Sequence, residues 1–347
     1  MSSAAHDNPF ITAILDQPAA VRRTLAALRE PLVAVRELAN GLRSGAYSRL
    51  ILTGMGGSHA ALNYLLFRLT PLGHCPLMIE TSDLVYDASS LINDNSVLVV
   101  ISQSGRTAEV VKLLASLGSQ QLVAITNDPE SPLAQRANHT YLTDAGSEQT
   151  IISKTYVSAL AAMSLFVADF TGKQRDADVI ALEQGIIQMT VFLDGWKDKA
   201  IELASRLGGT RSLVCCGRGL SLCSALVGAL TVRGAARIHA EGVSGAQFRH
   251  GHLEMINSGA AVLVFRGQGS TAQLQDKLVH EIMHHGGKVV VVGEVPAQGA
   301  ALLPPSQPQS LPLLEIVVAQ LAAIGLGWQH GVDPGVISLT PKVQSSE

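Results

Sequence analysis

The chain has 347 residues, 47% of them hydrophobic and 4% aromatic, with 25 Lys and Arg against 28 Asp and Glu for a formal net charge of −3. That length suits two domains of ordinary size, each with its own core. Without a basic block or many aromatic rings there is no nucleic-acid footprint and no base-stacking platform, so the expected partner is a small molecule.

The opening MSSAAHDNPF lacks a basic region followed by an apolar stretch, so no signal peptide is expected. From residue 10 to 45 apolar positions recur three and four apart, with proline punctuation, which predicts a helical N-terminal segment over 1–45. Strand–turn–helix units follow in RLILTGMGGSHAALNYLLFRL and LVVISQSGRTAEVVKLL, with a further strand in QLVAIT, and define a first domain over 46–170. Within it, NDPESPLAQRANHTYLTDAGSE reads as a loop, and a long apolar helix starts near Ser153. Residues 171–205 read as a helical connection.

The cadence restarts in SLVCCGRGLSLCSALVGALTVRGAA, GAAVLVF and KVVVVG, giving a second domain over 206–330. PAQGAALLPPSQPQSLP reads as a Pro-rich surface loop, the apolar run 316–328 as a buried helix too short to span a bilayer, and 331–347 as an irregular tail. The fold class is therefore α/β: two tandem, doubly wound parallel-sheet domains related by duplication. Cys75, Cys215, Cys216 and Cys223 form no CxxC pair and have no histidines at zinc-finger spacing, so they read as reduced core thiols of a cytoplasmic protein. No membrane partner is expected.

Two turns carry chemistry. A strand that ends in small residues before a helix presents free backbone N–H groups and the positive end of the helix dipole, which binds phosphate without lysine. In VISQSGRTAEVV, Ser102, Ser104 and Thr107 add hydroxyls, and Gly105 allows close backbone approach. GMGGSH at 54–59 supplies a second such turn with Ser58 at the helix start. Either turn alone could be an ordinary N-cap; two on adjacent strands mark the ligand side of a parallel sheet. A dinucleotide site is disfavoured, because the third glycine of the fingerprint is His59, although Glu80 stands where a ribose-binding acid would. There is no GxxxxGK[ST]. His239, His250 and His252 lack HExxH spacing, so no metal is expected, and His239 and His252 read as loop and capping residues.

ILTGMGGSHAAL, VISQSGRTAEVV, AITNDPESPLA, CCGRGLSLCSALVGAL, IHAEGVSGAQFRHGHLEMI and the tail GVDP…LTPK, in that order, resemble the sugar isomerase (SIS) domains of glucosamine-6-phosphate synthase and its glutaminase-free relatives. The resemblance implies a flavodoxin-like pair of SIS domains, usually a homodimer with sites near the subunit boundary and no cofactor. It implies a phosphosugar phosphate held by Ser102, Gln103, Ser104 and Thr107 with Ser58 close by, one hydroxyl being lost at Gly57. It implies ring opening by His250, often supplied by the neighbouring subunit, and closure over the substrate by Lys342. SEQTIISKTY at 147–156 resembles the family's E-x-x-V-A-S-T-K-x-[YF], one residue shorter.

The chain also departs from the family. The glutamate that shuttles a proton at the sugar carbon is Gly234 here, and a lysine three residues earlier is Thr231. Glu241 would lie two turns further along a continuing helix, roughly 10 Å away, and Glu254 is another conceivable substitute. The chain opens Met1-Ser2 with Cys75 as its first cysteine, so glutamine-dependent synthesis of glucosamine 6-phosphate is expected only with ammonia from a separate subunit. The expected function is an aldose–ketose isomerase, amino-sugar-phosphate deaminase or fructosamine-6-phosphate deglycase acting on a hexose 6-phosphate derivative. The alternative is a catalytically lapsed phosphosugar-binding sensor or partner subunit.

Overall fold

Strands β1 (Arg49–Gly54), β3 (Ser96–Ile101) and β4 (Gln121–Thr126) are almost wholly apolar and buried, as a parallel sheet covered on both faces requires. They form the centre of a five-stranded parallel sheet of order β2-β1-β3-β4-β5, whose edges are β2 (Leu77–Glu80) and β5 (His139–Leu142). The computed structural model describes residues 8–294, 300–337 and 339. Ahead of the sheet come α1 (Pro9–Leu15), α2 (Gln17–Ala27) and α3 (Val35–Ser44). The sheet's helices are α4 (Gly56–Leu69), α5 (Thr81–Tyr86), α6 (Ala108–Ser116), α7 (Pro132–Arg136) and α8 (Lys154–Thr171). Ile51, Leu98, Val100 and Leu122 pack on Leu84, Val110, Leu113 and Leu133 to make the core of one sheet face.

After α9 (Arg175–Leu193) and α10 (Trp196–Arg206) the same topology recurs. Strands β6 (Ser212–Gly217), β7 (His239–Ser244), β8 (Ala261–Phe265), β9 (Lys288–Gly293) and β10 (Ala300–Leu302) form a parallel sheet of order β10-β9-β8-β6-β7. Read from its second strand, that order matches the first sheet, so the two halves are copies of one plan. Helices α11 (Ser221–Ala236), α12 (Ala272–His284) and α13 (Leu311–Gln329) accompany it.

The described residues form two compact units: one comprises 19–147, 154–182 and 339, the other 8–18, 148–153, 183–294 and 300–337. In the latter, Asn8 caps α1 by accepting from the N–H groups of Phe10 (3.0 Å) and Ile11 (3.1 Å), and its amide donates to Asp333 Oδ1 (2.8 Å). Gln17 donates to Gln320 at 2.8 Å.

Five sequence expectations are corrected. The stretch after Asn127 read as loop contains α7 and the edge strand β5, and the Pro-rich loop contains β10. Helix α11 ends at Ala236 with Arg237 in the left-handed region (φ +54), so Glu241 lies on strand β7 and not on a continuing helix. Cys215, Cys216 and Cys223 are buried free thiols, but Cys75 is exposed. The apolar run at 316–328 is the buried helix expected, but it extends back to Leu311 as a 19-residue helix long and apolar enough to cross a membrane.

Candidate anion site at the strand ends

The site begins with the level ends of β1 and β3, which pair from Arg49↔Ser96 to Gly54↔Ile101. A Cβ on Gly54 would lie 2.9 Å from Ile101 O and 3.2 Å from Ser58 Cβ, so only glycine lets the two turns meet. Gly56 follows at φ +50, and α4 starts behind Met55, whose side chain cannot cap it. Ser58 stands in that first turn, partly exposed. Nearby, Thr53 and Thr81 share a buried hydroxyl contact at 3.0 Å, tying β1 to the start of α5.

The turn after β3 is held by its own hydroxyls. Ser102 Oγ accepts the Gly105 N–H (3.1 Å) and lies 3.1 Å from Thr107 Oγ1, while Ser104 Oγ accepts the Arg106 N–H (3.2 Å). Thr107 is therefore turned toward Ser102, and it makes no side-chain cap to α6. Gly105 adopts φ +61, and a Cβ there would be 2.3 Å from Ser131 Oγ. The loop after β4 supports the turn from behind: the Asn127 N–H donates to Gln103 O (3.0 Å). Arg106 is engaged by Asp128 (3.0 and 2.8 Å), so its charge is neutralised on the outer side. Ser102 is buried, whereas Gln103, Ser104 and Thr107 are partly exposed. Hydroxyls and two uncapped helix starts thus converge beyond adjacent strands, a donor-rich and lysine-free environment for an anion.

The second unit repeats this backbone with different side chains. Gly217–Ser221 matches Gly54–Ser58, with Gly219 at φ +56, and Arg266–Thr271 matches Ser102–Thr107, with Gly269 at φ +69. Here the turn is filled. Arg266 forms a bidentate pair with Asp276 (2.7 and 2.8 Å), and Gln268 donates to Glu294 Oε1 (2.7 Å). Ser221 and Ser224 donate to the carboxyl of Glu315 on α13 at 2.6 and 2.7 Å. Glu315 is fully buried, and burial pushes its carboxyl up to about 7, with a smaller push from Glu294, against the lowering effect of the two serines.

His250 lies in the same unit as these filled turns, exposed at the end of a short 3-10 turn, with its N–H donating to Gln247 O (2.8 Å). Lys342 lies outside the described residues. Gly234 sits on α11, and a Cβ there would be 2.7 Å from Ile151 Cδ1. Ile151 is held by a short segment in which buried Glu148 accepts the N–H (3.0 Å) and hydroxyl (2.8 Å) of Ser153. Thr231 Oγ1 is turned back onto Val227 O (2.8 Å) and is fully buried.

Sequence reasoning missed three of these features: Ile151 against Gly234, Glu315 behind Ser221, and a Glu241–His252 pair at 3.1 Å. His252 is therefore a partner of a strand carboxylate and not a loop cap. The lone acid in the apolar stretch LPLLEIVVAQL was the available signal for Glu315.

The SIS domain family model matches residues 46–169 and 207–326, one copy per sheet. The chain belongs to the SIS domain family. A glutamine–fructose-6-phosphate aminotransferase [isomerizing] of Pyrococcus horikoshii is 31% identical over 345 residues, covering 95% of this chain and 56% of that protein. Its counterpart from Thermococcus kodakarensis is 28% identical over 95% of this chain and 57% of its own length. This SIS chain thus spans a little over half the length of those relatives. Among solved structures, the C-terminal domain of glucosamine-fructose-6-phosphate aminotransferase from Francisella tularensis superposes with a TM-score of 0.85 at 20% identity, covering 96% of this chain and 99% of that one. Tagatose-6-phosphate ketose/aldose isomerase from Escherichia coli gives 0.81 at 18% identity over 98% and 99%. These two likenesses establish the tandem SIS fold.

Proposed function

We propose that the first SIS domain binds the phosphate of a hexose 6-phosphate derivative at Ser102, Gln103, Ser104 and Thr107, with Ser58 alongside. The observation that carries this reading is the donor-rich turn after β3, where Ser102 orders the backbone, α6 has no side-chain cap, and the one carboxylate bonded to the turn, Asp128, is held on Arg106. The names of the relatives, which include fructose 6-phosphate, agree with such a ligand. In the enzymatic form of the proposal His250 opens the sugar ring, an acid–base task suited to imidazole near neutral pH. Lys342 closes over the substrate, and isomerisation, deamination or deglycation follows at carbons 1 and 2 without metal or organic cofactor. A cytoplasmic homodimer with sites near the subunit boundary belongs to the same proposal.

A second reading, binding without conversion, is favoured by Ile151. It occupies the space beside Gly234, where the family's proton-shuttling glutamate would stand. General acid–base transfer of the kind lost there contributes about 10²–10⁴-fold to rate. Calorimetry and turnover on glucosamine 6-phosphate, fructose 6-phosphate with ammonia, and fructosamine 6-phosphates separate the two. Conversion of any of them supports the enzyme; tight binding with no conversion at high protein concentration supports the binder. Replacing Ser102 and Ser104 by Ala is expected to weaken the phosphorylated sugar about tenfold or more, the worth of lost hydrogen bonds to a charged group. Equal weakening of the free sugar would overturn the phosphate assignment.

A further inference from the structure

The unit that holds β1 to β5 also contains a cationic recess. A cavity of about 220 Å³ is lined by Pro31, Val33, Arg36, Asp169, Lys173 and Arg175, among others, where the end of α8 meets the start of α9. Its floor is internally satisfied. Buried Asp169 accepts from Arg175 (2.5 Å), from the hydroxyl of Tyr141 (2.8 Å) and from the Leu32 N–H (3.1 Å). Arg175 also donates to Leu28 O.

The walls carry charge that is not neutralised. Arg36 donates to Gly172 O (2.8 Å), and among the described residues neither Arg36 nor Lys173 has a carboxylate partner. Gly172 is at φ +67, and a Cβ there would lie 1.7 Å from Arg36 Nη2, so glycine at this position lets the guanidinium lie across the chain at the cavity wall. Three cations against one carboxylate leave the lining at +2. The imidazole of His74 registers the same field: burial first, then the charges of Arg43 and Lys173, hold it below its ordinary value.

We propose that this recess binds a phosphoryl group, as inorganic phosphate or a small phosphomonoester, independently of the turn after β3. A phosphate ester carries about −1.5 to −2 near neutral pH, which matches the uncompensated charge. The volume lies below the roughly 300–1,000 Å³ of pockets that take drug-sized ligands and admits a phosphate with a few attached atoms. Arg36 offers a planar fork to phosphate oxygens and Lys173 a point charge.

The test is calorimetry on the full chain with inorganic phosphate and with methyl phosphate, using Arg36→Gln/Lys173→Gln, Lys173→Gln alone, and Ser102→Ala/Ser104→Ala. The recess variants are expected to weaken one binding event about tenfold or more and to leave hexose 6-phosphate binding unchanged. The serine variant should do the reverse, so failure at one site is distinguishable from failure at the other. Tighter binding of methyl phosphate than of phosphate identifies the ester as ligand; the opposite order identifies free phosphate. A second readout needs no variant, since bound phosphate should raise the NMR titration midpoint of His74. Wild-type stoichiometry and affinity in Arg36→Gln/Lys173→Gln, or a His74 midpoint unmoved by saturating phosphate, would overturn the proposal.

Discussion

Glu315 offers a quantitative check on the chemistry behind the filled turn. Its carboxyl is fully buried, and burial lifts its titration from 4.5 to about 7. Below pH 4.5 the group is protonated in both folded and unfolded chains and costs nothing. Between 4.5 and 7 the unfolded chain releases a proton that the folded chain keeps, so stability falls as pH rises. Above 7 both states are ionised and the full cost persists, about 3 kcal/mol at 1.36 kcal/mol per pH unit. In Glu315→Gln the amide stays neutral, so the variant is expected to gain on the wild type by about that much between pH 4.5 and 7, with a constant difference above. Trp196 and Trp328 are the chain's two tryptophans; their rings lie 6.0 Å apart in the same unit as Glu315. Urea unfolding followed by tryptophan fluorescence from pH 4 to 9 therefore reads the relevant unit alone, which matters because a two-unit chain need not unfold in one step. Parallel pH curves for Glu315→Gln and wild type would refute the reasoning, because no proton would then be held by this carboxyl on folding.

Three further outcomes follow from local geometry. Gly105→Ala meets both a φ of +61 and Ser131 Oγ at 2.3 Å, whereas Gly269→Ala meets a φ of +69 and open space; chemical denaturation should show the first costing more than the roughly 1–2 kcal/mol of a left-handed alanine and the second close to it. Gly234→Glu alone should destabilise its unit in the same assay, because its Cβ would lie 2.7 Å from Ile151, and Ile151→Ala/Gly234→Glu should relieve this and raise sugar-phosphate turnover above that of the parent. Asp178 is fully buried and accepts from Arg68 (2.9 Å) and Ser164 (3.1 Å), so Asp178→Ala should cost about 3–5 kcal/mol by leaving Arg68 without its partner; Arg68→Met/Asp178→Leu should recover much of that loss.

The central strands were legible because a parallel strand buried on both faces must be a continuous apolar run, as SVLVVI and KVVVVG are. The edges were not. HTYL and HAEGVS mix polar and apolar residues because edge strands are partly exposed, and AAL at β10 has only three residues. The two turns announced themselves through small residues at the ends of apolar runs, and one glycine in each, Gly56 and Gly105, does occupy the left-handed region. What the side chains do there was less legible. That Thr107 would bond Ser102 rather than cap α6 depends on the path of the turn, and that Ile151 would lie against Gly234 depends on residues 83 positions apart meeting in space.

The duplication shows why backbone alone does not define an anion site. Both halves bring two glycine turns to the ends of neighbouring strands, with nearly equal φ at Gly56 and Gly219 and at Gly105 and Gly269. In the first half Ser102 and Ser104 accept N–H groups of the turn's own backbone, Thr107 meets Ser102, and no carboxylate is bonded to Ser58, Ser102 or Thr107 among the described residues. In the second half the hydroxyl at Ser221, the counterpart of Ser58, already donates to a carboxyl, and the guanidinium at the position of Ser102 is held by Asp276. A phosphate arriving there would compete with Glu315 for the Ser221 and Ser224 hydroxyls and would face Glu294 as well. Removing the charge at Glu315 does not reopen the turn, because Gln268 and Arg266 still fill it through separate partners. One sugar phosphate per chain is therefore the stoichiometry that the proposed site in the first half, and the self-occupied one in the second, together require.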